Sequence, residues 1–301
     1  MDERKALDAT ASGLMIVLCM IWGLQQVILK MAAPDISPLM QIALRSGLAA
    51  ILLLPLLYFD KTSQLFNRQN LKAGALVAFL FSLEFFLLAQ ALQLTSASHA
   101  VVLLYTAPIF VALGLHWKLP SERLSLLQWS GIGIAFLGIV VTFLRTTSGA
   151  SIADRQMLWG DLLALAGSIA WAATTITVRL SSLAQAAVTQ TLFYQLAGSF
   201  VLLFGAALVL GQATIHFTPL VMGSLAFHTL VVSFASFLAW FWLLRNYLAS
   251  RLGVFSFLTP LFGMAFGVWL LGEKIELNFV IGSALVLLGI VVVSLQGWLR
   301  K

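Results

Sequence analysis

Ten times along this chain, a run of about 20 apolar residues is followed by a short polar or Pro/Gly-containing break, and that recurrence leaves few folds open. A helix rising about 1.5 Å per residue crosses a hydrocarbon core of roughly 30 Å in about 20 residues. Inside lipid the backbone must satisfy its own hydrogen bonds, so a chain built of such runs folds as a membrane-spanning helical bundle. Composition agrees, because 61% of the 301 residues are hydrophobic and 9% are charged, against roughly 25% charged residues in a soluble domain. The spans read as residues 11–32, 37–58, 71–94, 97–117 and 125–145, then 158–180, 187–210, 217–245, 250–272 and 278–298.

The net charge of +6 does not point to nucleic acid, because Lys and Arg stand singly in short connections and form no stripe. They report orientation instead. Arg4, Lys5, Lys61, Arg68, Lys72, Lys118, Arg123, Arg179, Arg245, Arg251, Arg300 and Lys301 fall on the side of the amino terminus, and Lys30, Arg145, Arg155 and Lys274 on the other. Twelve against four, with Arg45 inside a span, puts both termini in the cytoplasm of a multi-pass cell membrane protein, expected in a bacterial inner membrane. The first span is longer than a signal-peptide core and its start is no more basic than acidic (Asp2, Glu3, Arg4, Lys5), so it is expected to be retained. The single cysteine, Cys19, excludes a disulfide framework and a cysteine-rich metal site, and no cofactor is called for.

The two halves read as copies. "LGIVVTFL" at 137–144 matches "LGIVVVSL" at 288–295 at six of eight positions. In the same register "SERL" (121–124) answers "GEKI" (272–275) and Gly131 answers Gly282; with one residue of slippage Pro108 answers Pro260 and Ala97-Ser98 answers Ala249-Ser250. "MIWGLQQVILK" (20–30) set over "IAWAATTITVR" (169–179) pairs Trp22 with Trp171, Gln25-Gln26 with Thr174-Thr175 and Lys30 with Arg179. Five spans per half is an odd number, so the second copy enters the membrane from the opposite side. The expected fold is therefore an all-α membrane protein of ten transmembrane helices. They form two inverted five-helix repeats, residues 1–150 and 151–301, around a central cavity. Such folds hold a solute near the midplane and expose it to each side in turn.

This pattern resembles the drug/metabolite transporter superfamily. The carriers of the likeness are the tryptophans in helices 1 and 6, a basic residue ending each, the prolines in helices 4 and 9 and the "GE" after helix 9. The EamA-type branch, which includes amino-acid exporters of the YddG kind, is the most similar. The first half departs in reading "SERL" where the second has "GEKI". The resemblance implies export of amino acids, aromatic or other neutral ones, or related metabolites through a cavity lined by helices 1–4 and 6–9.

Polar groups inside lipid mark function, since each needs a partner. The substrate-binding candidates are Trp22, Gln25, Gln26, Tyr105, Trp171, Thr174, Thr175, Tyr194 and Gln195, which offer aromatic faces and amide or hydroxyl groups. Three ionisable residues lie deep: Arg45, Glu84 and His228. Arg45 and Glu84 sit at similar depth on antiparallel neighbours, so they are expected to satisfy each other as a buried ion pair, or Glu84 to act as a protonatable coupling group or as a partner for a substrate ammonium, and His228 to pack helices or relay a proton. Lys30 and Arg179 end the polar stripes of helices 1 and 6, as snorkelling end residues or as gates at opposite mouths. Pro108 and Pro260 break backbone hydrogen bonding inside spans and are expected to kink or hinge them. Helices 5 and 10 carry Gly131 and Gly138, or Gly282 and Gly289, two turns apart, which suits close packing at the periphery or a homodimer contact in a protein otherwise monomeric.

Competing functions lack residues. A membrane-embedded enzyme needs clustered acids, bases or metal ligands, whereas His99, His116, His216 and His228 are dispersed and no HExxH, nucleophile elbow or phosphate loop occurs. The missing Walker-type loop also excludes an ATP-driven pump within this chain. A passive facilitator and a proton-coupled drug or cation carrier remain as alternatives to an amino-acid exporter.

Overall fold

The computed structural model describes residues 8–60, 67–120, 123–143, 152–247, 255–256 and 258–299. Ser121 and Glu122 of "SERL", the Ala249-Ser250 pair and the cations Arg4, Lys5, Lys61, Arg145, Arg251, Arg300 and Lys301 lie outside the described residues.

The described residues form ten helical spans: α1 Ala9–Met31, α2 Pro38–Phe59, α3 Arg68–Leu94, α4 Ala97–Lys118, α5 Leu126–Phe143, α6 Ile152–Leu180 and α7 Val188–Val209. Pro219–Ala226, Phe227–Ser236 and Phe237–Asn246 follow one another as α8, and α9 Leu258–Leu271 and α10 Leu277–Leu299 complete the set. Seven described helices are long and apolar enough to cross a membrane, and Leu126–Thr142, Leu258–Leu271 and Leu277–Val293 add three shorter apolar stretches. The starts are written in the sequence: the side chains of Asp8, Ser37, Asn67, Ser96 and Thr218 accept hydrogen bonds from backbone N–H groups of the first turns of α1, α2, α3, α4 and α8. Gly211 and Gly272, with φ of 67° and 64°, turn the chain out of α7 and α9 in the left-handed conformation that glycine adopts without strain.

Two spans are irregular, one beside Pro108 where a kink was expected and one in α8 where the sequence suggested a simple helix. α4 is interrupted at Tyr105 and Thr106, and Pro108 stands in the first turn of its second piece, Ala107–Lys118, where a missing N–H costs little. The middle ten residues of α8 form a π-helix, a wide turn whose buried residues are His228, Thr229, Val232, Ser233 and Ser236. Pro260 is the third residue of described α9 and not an interior kink, so it removes an N–H that a first turn leaves unpaired anyway.

Helix packing carries the signature of a twofold repeat. α2 packs on α7, α4 on α9 and α5 on α10; α1 meets α8 and α9, α3 meets α6 and α7, α4 meets α6, and α2 meets α8. Replacing each helix by its counterpart five places on maps these contacts onto one another, and contacts of α1 with α4 and of α2 with α3 add to them within the first half. The α5–α10 contact is the tightest in kind: a Cβ at Gly131 would lie 2.8 Å from the Gly289 carbonyl oxygen, and one at Gly138 2.6 Å from that of Gly282. Their glycine faces are thus turned toward each other, and backbones meet where any side chain would part them.

Candidate functional site

The polar stripe of α1 is the spine of the centre. Positions 22, 26 and 30 succeed one another at i, i+4 spacing and share a face, with Gln25 beside them. The Trp22 indole Nε1 donates to Ser236 Oγ on the π segment at 3.0 Å, and its ring meets Trp240 edge-on at 5.7 Å. The Gln25 main-chain oxygen faces His228 Nε2 at 3.1 Å, while His228 Nδ1 lies 2.7 Å from the Ser224 carbonyl oxygen. Ser224 Oγ donates in turn to Gln41 Oε1 at 2.7 Å, and Gln41 Nε2 donates to Leu29 and Ile36 carbonyls. His228 thus reaches α1 through Nε2 while its Nδ1 stays with Ser224 of its own helix, and the link from α8 to α2 is made by the Ser224 hydroxyl, which is the helix-packing reading.

Arg45 and Glu84 form no direct salt bridge, which was the first of the alternatives expected of them. Arg45, 3% exposed, donates from a terminal nitrogen to Gln25 Oε1 at 3.1 Å and lays its guanidinium over the Phe85 ring at 4.7 Å. A planar guanidinium prefers such a fork and face, and α1 offers the amide that captures it. Glu84, 5% exposed, makes no salt bridge and no hydrogen bond to a described residue. The two charges act on each other at longer range, and Tyr105 of α4 comes near both Glu84 and Thr259 of α9.

The same region holds buried polar atoms bonded to nothing. Gln26 is 1% exposed, and both its amide nitrogen and its amide oxygen lack partners. Among the described residues so do Arg45 Nε and the hydroxyl of Thr229, while the Thr259 hydroxyl lies beside Cys19 and Tyr105. An unsatisfied buried donor or acceptor costs about 1–3 kcal/mol, so a group of them marks a place that something else completes. Thr229 and Thr259 were missed by sequence reading, because a lone threonine in an apolar span usually bonds its own helix.

The second half contributes less than its alignment suggested. Trp171 meets Tyr105 edge-on at 5.3 Å, which joins α6 to α4. Thr174 and Thr175, by contrast, donate back to the carbonyls of Ala170 and Trp171, and Thr175 is exposed. They are satisfied within α6 and do not mirror Gln25 and Gln26. Tyr194 lies against Gly74 of α3 and accepts from Gln190 Nε2 at 3.0 Å, while Gln195 is half-buried with no hydrogen bond to a described residue. Arg179 is exposed in the last turn of α6.

A second polar cluster closes the end of the bundle that carries the α1–α2 and α9–α10 turns. Lys30 neither snorkels nor stands free at a mouth: its ammonium donates to the Leu92 carbonyl at 3.0 Å and to that of Thr95, completing the carboxyl end of α3. Glu273, from the "GE", spans the halves. Its two carboxylate oxygens accept from the N–H of Ala97 at 2.6 Å and of Ser98 at 3.0 Å, and Ser98 Oγ adds a third bond at 2.6 Å. Beside it Asp161 of α6 pairs with His99 Nδ1 at 3.0 Å and accepts from Thr95 Oγ1, and the His99 ring stacks on Phe279 at 3.7 Å. Sequence reading passed over His99 and Asp161, although an aspartate just inside a span was the available signal.

The profile of the EamA-like transporter family matches residues 10–144 and again residues 158–295, once over each half. The chain belongs to the EamA-like transporter family. Among its relatives is the "Uncharacterized transporter YoaV" of Bacillus subtilis, 25% identical over 91% of this chain and 93% of that one. The "Probable amino-acid metabolite efflux pump" of Escherichia coli is 25% identical over 92% of each chain. The "Uncharacterized inner membrane transporter YedA" of Escherichia coli is 25% identical over 95% of this chain and 91% of its own. A solved crystal structure shares the fold with a TM-score of 0.66 at 17% identity, covering 98% of this chain and 100% of that one. This EamA-like chain is a membrane transporter, and its ten helices in two repeats are those of its family.

Proposed function

We propose that this EamA-like protein exports small organic metabolites, neutral or aromatic amino acids first among them, by alternating access through the polar centre between its halves. One observation carries the reading: Gln26, Arg45 Nε, which sits beside the Gln25 amide, and Thr229, next to the His228 that meets the Gln25 carbonyl, are buried and polar with no hydrogen bond to a described residue. Evolution tolerates that cost where a solute supplies the missing hydrogen bonds. Support for amino acids comes from the relative bearing the efflux-pump name. Support for alternating access comes from helix contacts of one half that recur between their counterparts in the other, as expected of two repeats able to rock about a central solute.

The excess of Lys and Arg on the side of the termini supports a cytoplasmic location for both, in a bacterial inner membrane. The Glu273 and Lys30 cluster then closes the extracytoplasmic end. Transport, with no enzymatic step, accounts for the site without any cofactor. Any association between copies uses the outer faces of α5 and α10, because their glycines are spent on each other.

The test is counterflow in proteoliposomes containing the full chain, with radiolabelled amino acids, polyamines and drug cations, repeated under an imposed pH gradient. Saturable counterflow of amino acids is expected. Flux that never saturates points to a facilitator or channel, and pH-driven accumulation of cations alone points to a drug carrier.

A further inference from the structure

The arrangement of Arg45 and Glu84 narrows the class of solute. Two opposite charges buried on adjoining helices ordinarily close on each other, because each is otherwise costly in a low-dielectric interior. Here they are held apart. Gln25 Oε1 takes one terminal nitrogen of Arg45, and Phe85 takes the face of its guanidinium. Among the described residues that leaves Arg45 Nε without an acceptor and the Glu84 carboxylate without a donor. Gln26, on the neighbouring helix, holds an unused amide N–H₂ and an unused amide oxygen, so it can give to an anion or take from a cation.

We propose that Arg45 and Glu84 form a split-charge site for a zwitterion. The α-carboxylate of an amino acid accepts from Arg45 Nε, its α-ammonium donates to Glu84, and Gln26 supplies the remaining hydrogen bonds. This rests on the export reading above and deepens it. The selectivity follows from charge balance. With Glu84 ionised opposite a solute ammonium, the site offers one cation and one anion, so a net-neutral solute with both charges satisfies each and adds no net charge to the interior. An amine satisfies Glu84 alone and leaves Arg45 Nε unpaired, and a carboxylic acid does the reverse; each also brings an uncompensated charge into a low dielectric.

The test uses the full chain in proteoliposomes and a matched trio: phenylalanine, phenethylamine, which lacks the carboxylate, and phenylpropanoate, which lacks the ammonium. Phenylalanine counterflow is expected, with inhibition by the amine and the acid at least about tenfold weaker than by unlabelled phenylalanine, the order of one charged hydrogen bond lost. Arg45→Gln is expected to abolish the preference for phenylalanine over the amine, and Glu84→Gln its preference over the acid. Gln26→Leu guards against variants that merely misfold. It removes two unsatisfied polar atoms from the unliganded protein, so its melting temperature in detergent is expected to rise while its apparent affinity for phenylalanine falls about tenfold. Equal inhibition by all three compounds, or Gln26→Leu leaving affinity untouched, overturns the split-charge site while amino-acid export stands. Absence of counterflow for phenylalanine and every other amino acid, with drug cations carried, overturns both.

Discussion

Glu273 closes the start of α4 on Ser98, with one carboxylate oxygen 3.0 Å from its N–H and 2.6 Å from its hydroxyl. A negative charge there meets unpaired N–H groups and the positive end of the helix dipole. Because Glu273 belongs to the second repeat and Ser98 to the first, the contact is also a clasp between halves. Glu273→Gln keeps the shape and loses the charge, at a cost on the order of 1–2 kcal/mol. A lower melting temperature in detergent is expected, with the exposed neighbour variant Glu276→Gln unchanged. If both variants melt with the parent, the clasp contributes nothing.

Lys30 should behave as part of α3 although it belongs to α1. Its bonds to the carbonyls of Leu92 and Thr95 hold the last turn of that helix. Lys30→Met is expected to cost about 1 kcal/mol. Hydrogen–deuterium exchange of a peptide covering residues 88–96 should quicken severalfold, and Lys30→Arg should largely restore it. Unchanged exchange in the methionine variant would reduce Lys30 to a bystander.

Trp22 and Trp171 present aromatic surface toward the centre from the two halves. Alanine at either position removes a large contact area, of which about 1.5–3 kcal/mol is at stake. Insertion and monodispersity should be retained while solute counterflow drops about tenfold or more. Trp22→Phe separates the two roles, because it keeps most of the area but loses the donor to Ser236. Normal uptake by both alanine variants in reconstituted vesicles would remove these residues from the solute path.

The α5–α10 pair should fail by overpacking. A side chain at Gly138 meets the Gly282 carbonyl oxygen and the Val286 N–H, both at 2.6 Å, so backbone must move. Gly138→Leu is expected to cost about 3 kcal/mol or more and to cut the yield of monodisperse protein. Gly133→Leu, one turn away with nothing within 4 Å, should be silent. Transport per folded molecule should survive in whatever Gly138→Leu protein is recovered, since this pair lies apart from the solute site.

The sequence alone determined the architecture. Lipid leaves the backbone no partner but itself, so apolar runs of membrane length became helices, an odd number per half set the inversion, and capping residues such as Ser37, Ser96 and Thr218 set their starts. It also marked α1 as a wall of the centre, since Gln25 and Gln26 have no business facing lipid. What it left to the tertiary structure was partnership. Arg45 and Glu84 had matching depth and opposite charge, yet depth does not decide which atoms meet: Gln25 and Phe85 reached the guanidinium first and left Glu84 alone. Gln26 and Thr175 aligned as counterparts, but the short hydroxyl of threonine turns back to its own helix while the longer amide of glutamine does not. Lys30 read as a surface cation and became a helix cap, because the end of α3 came to rest beside it. Composition and period act through each residue's own transfer into lipid and so are legible one residue at a time. Hydrogen-bond partners are settled between helices far apart in sequence, and only their packing decides them.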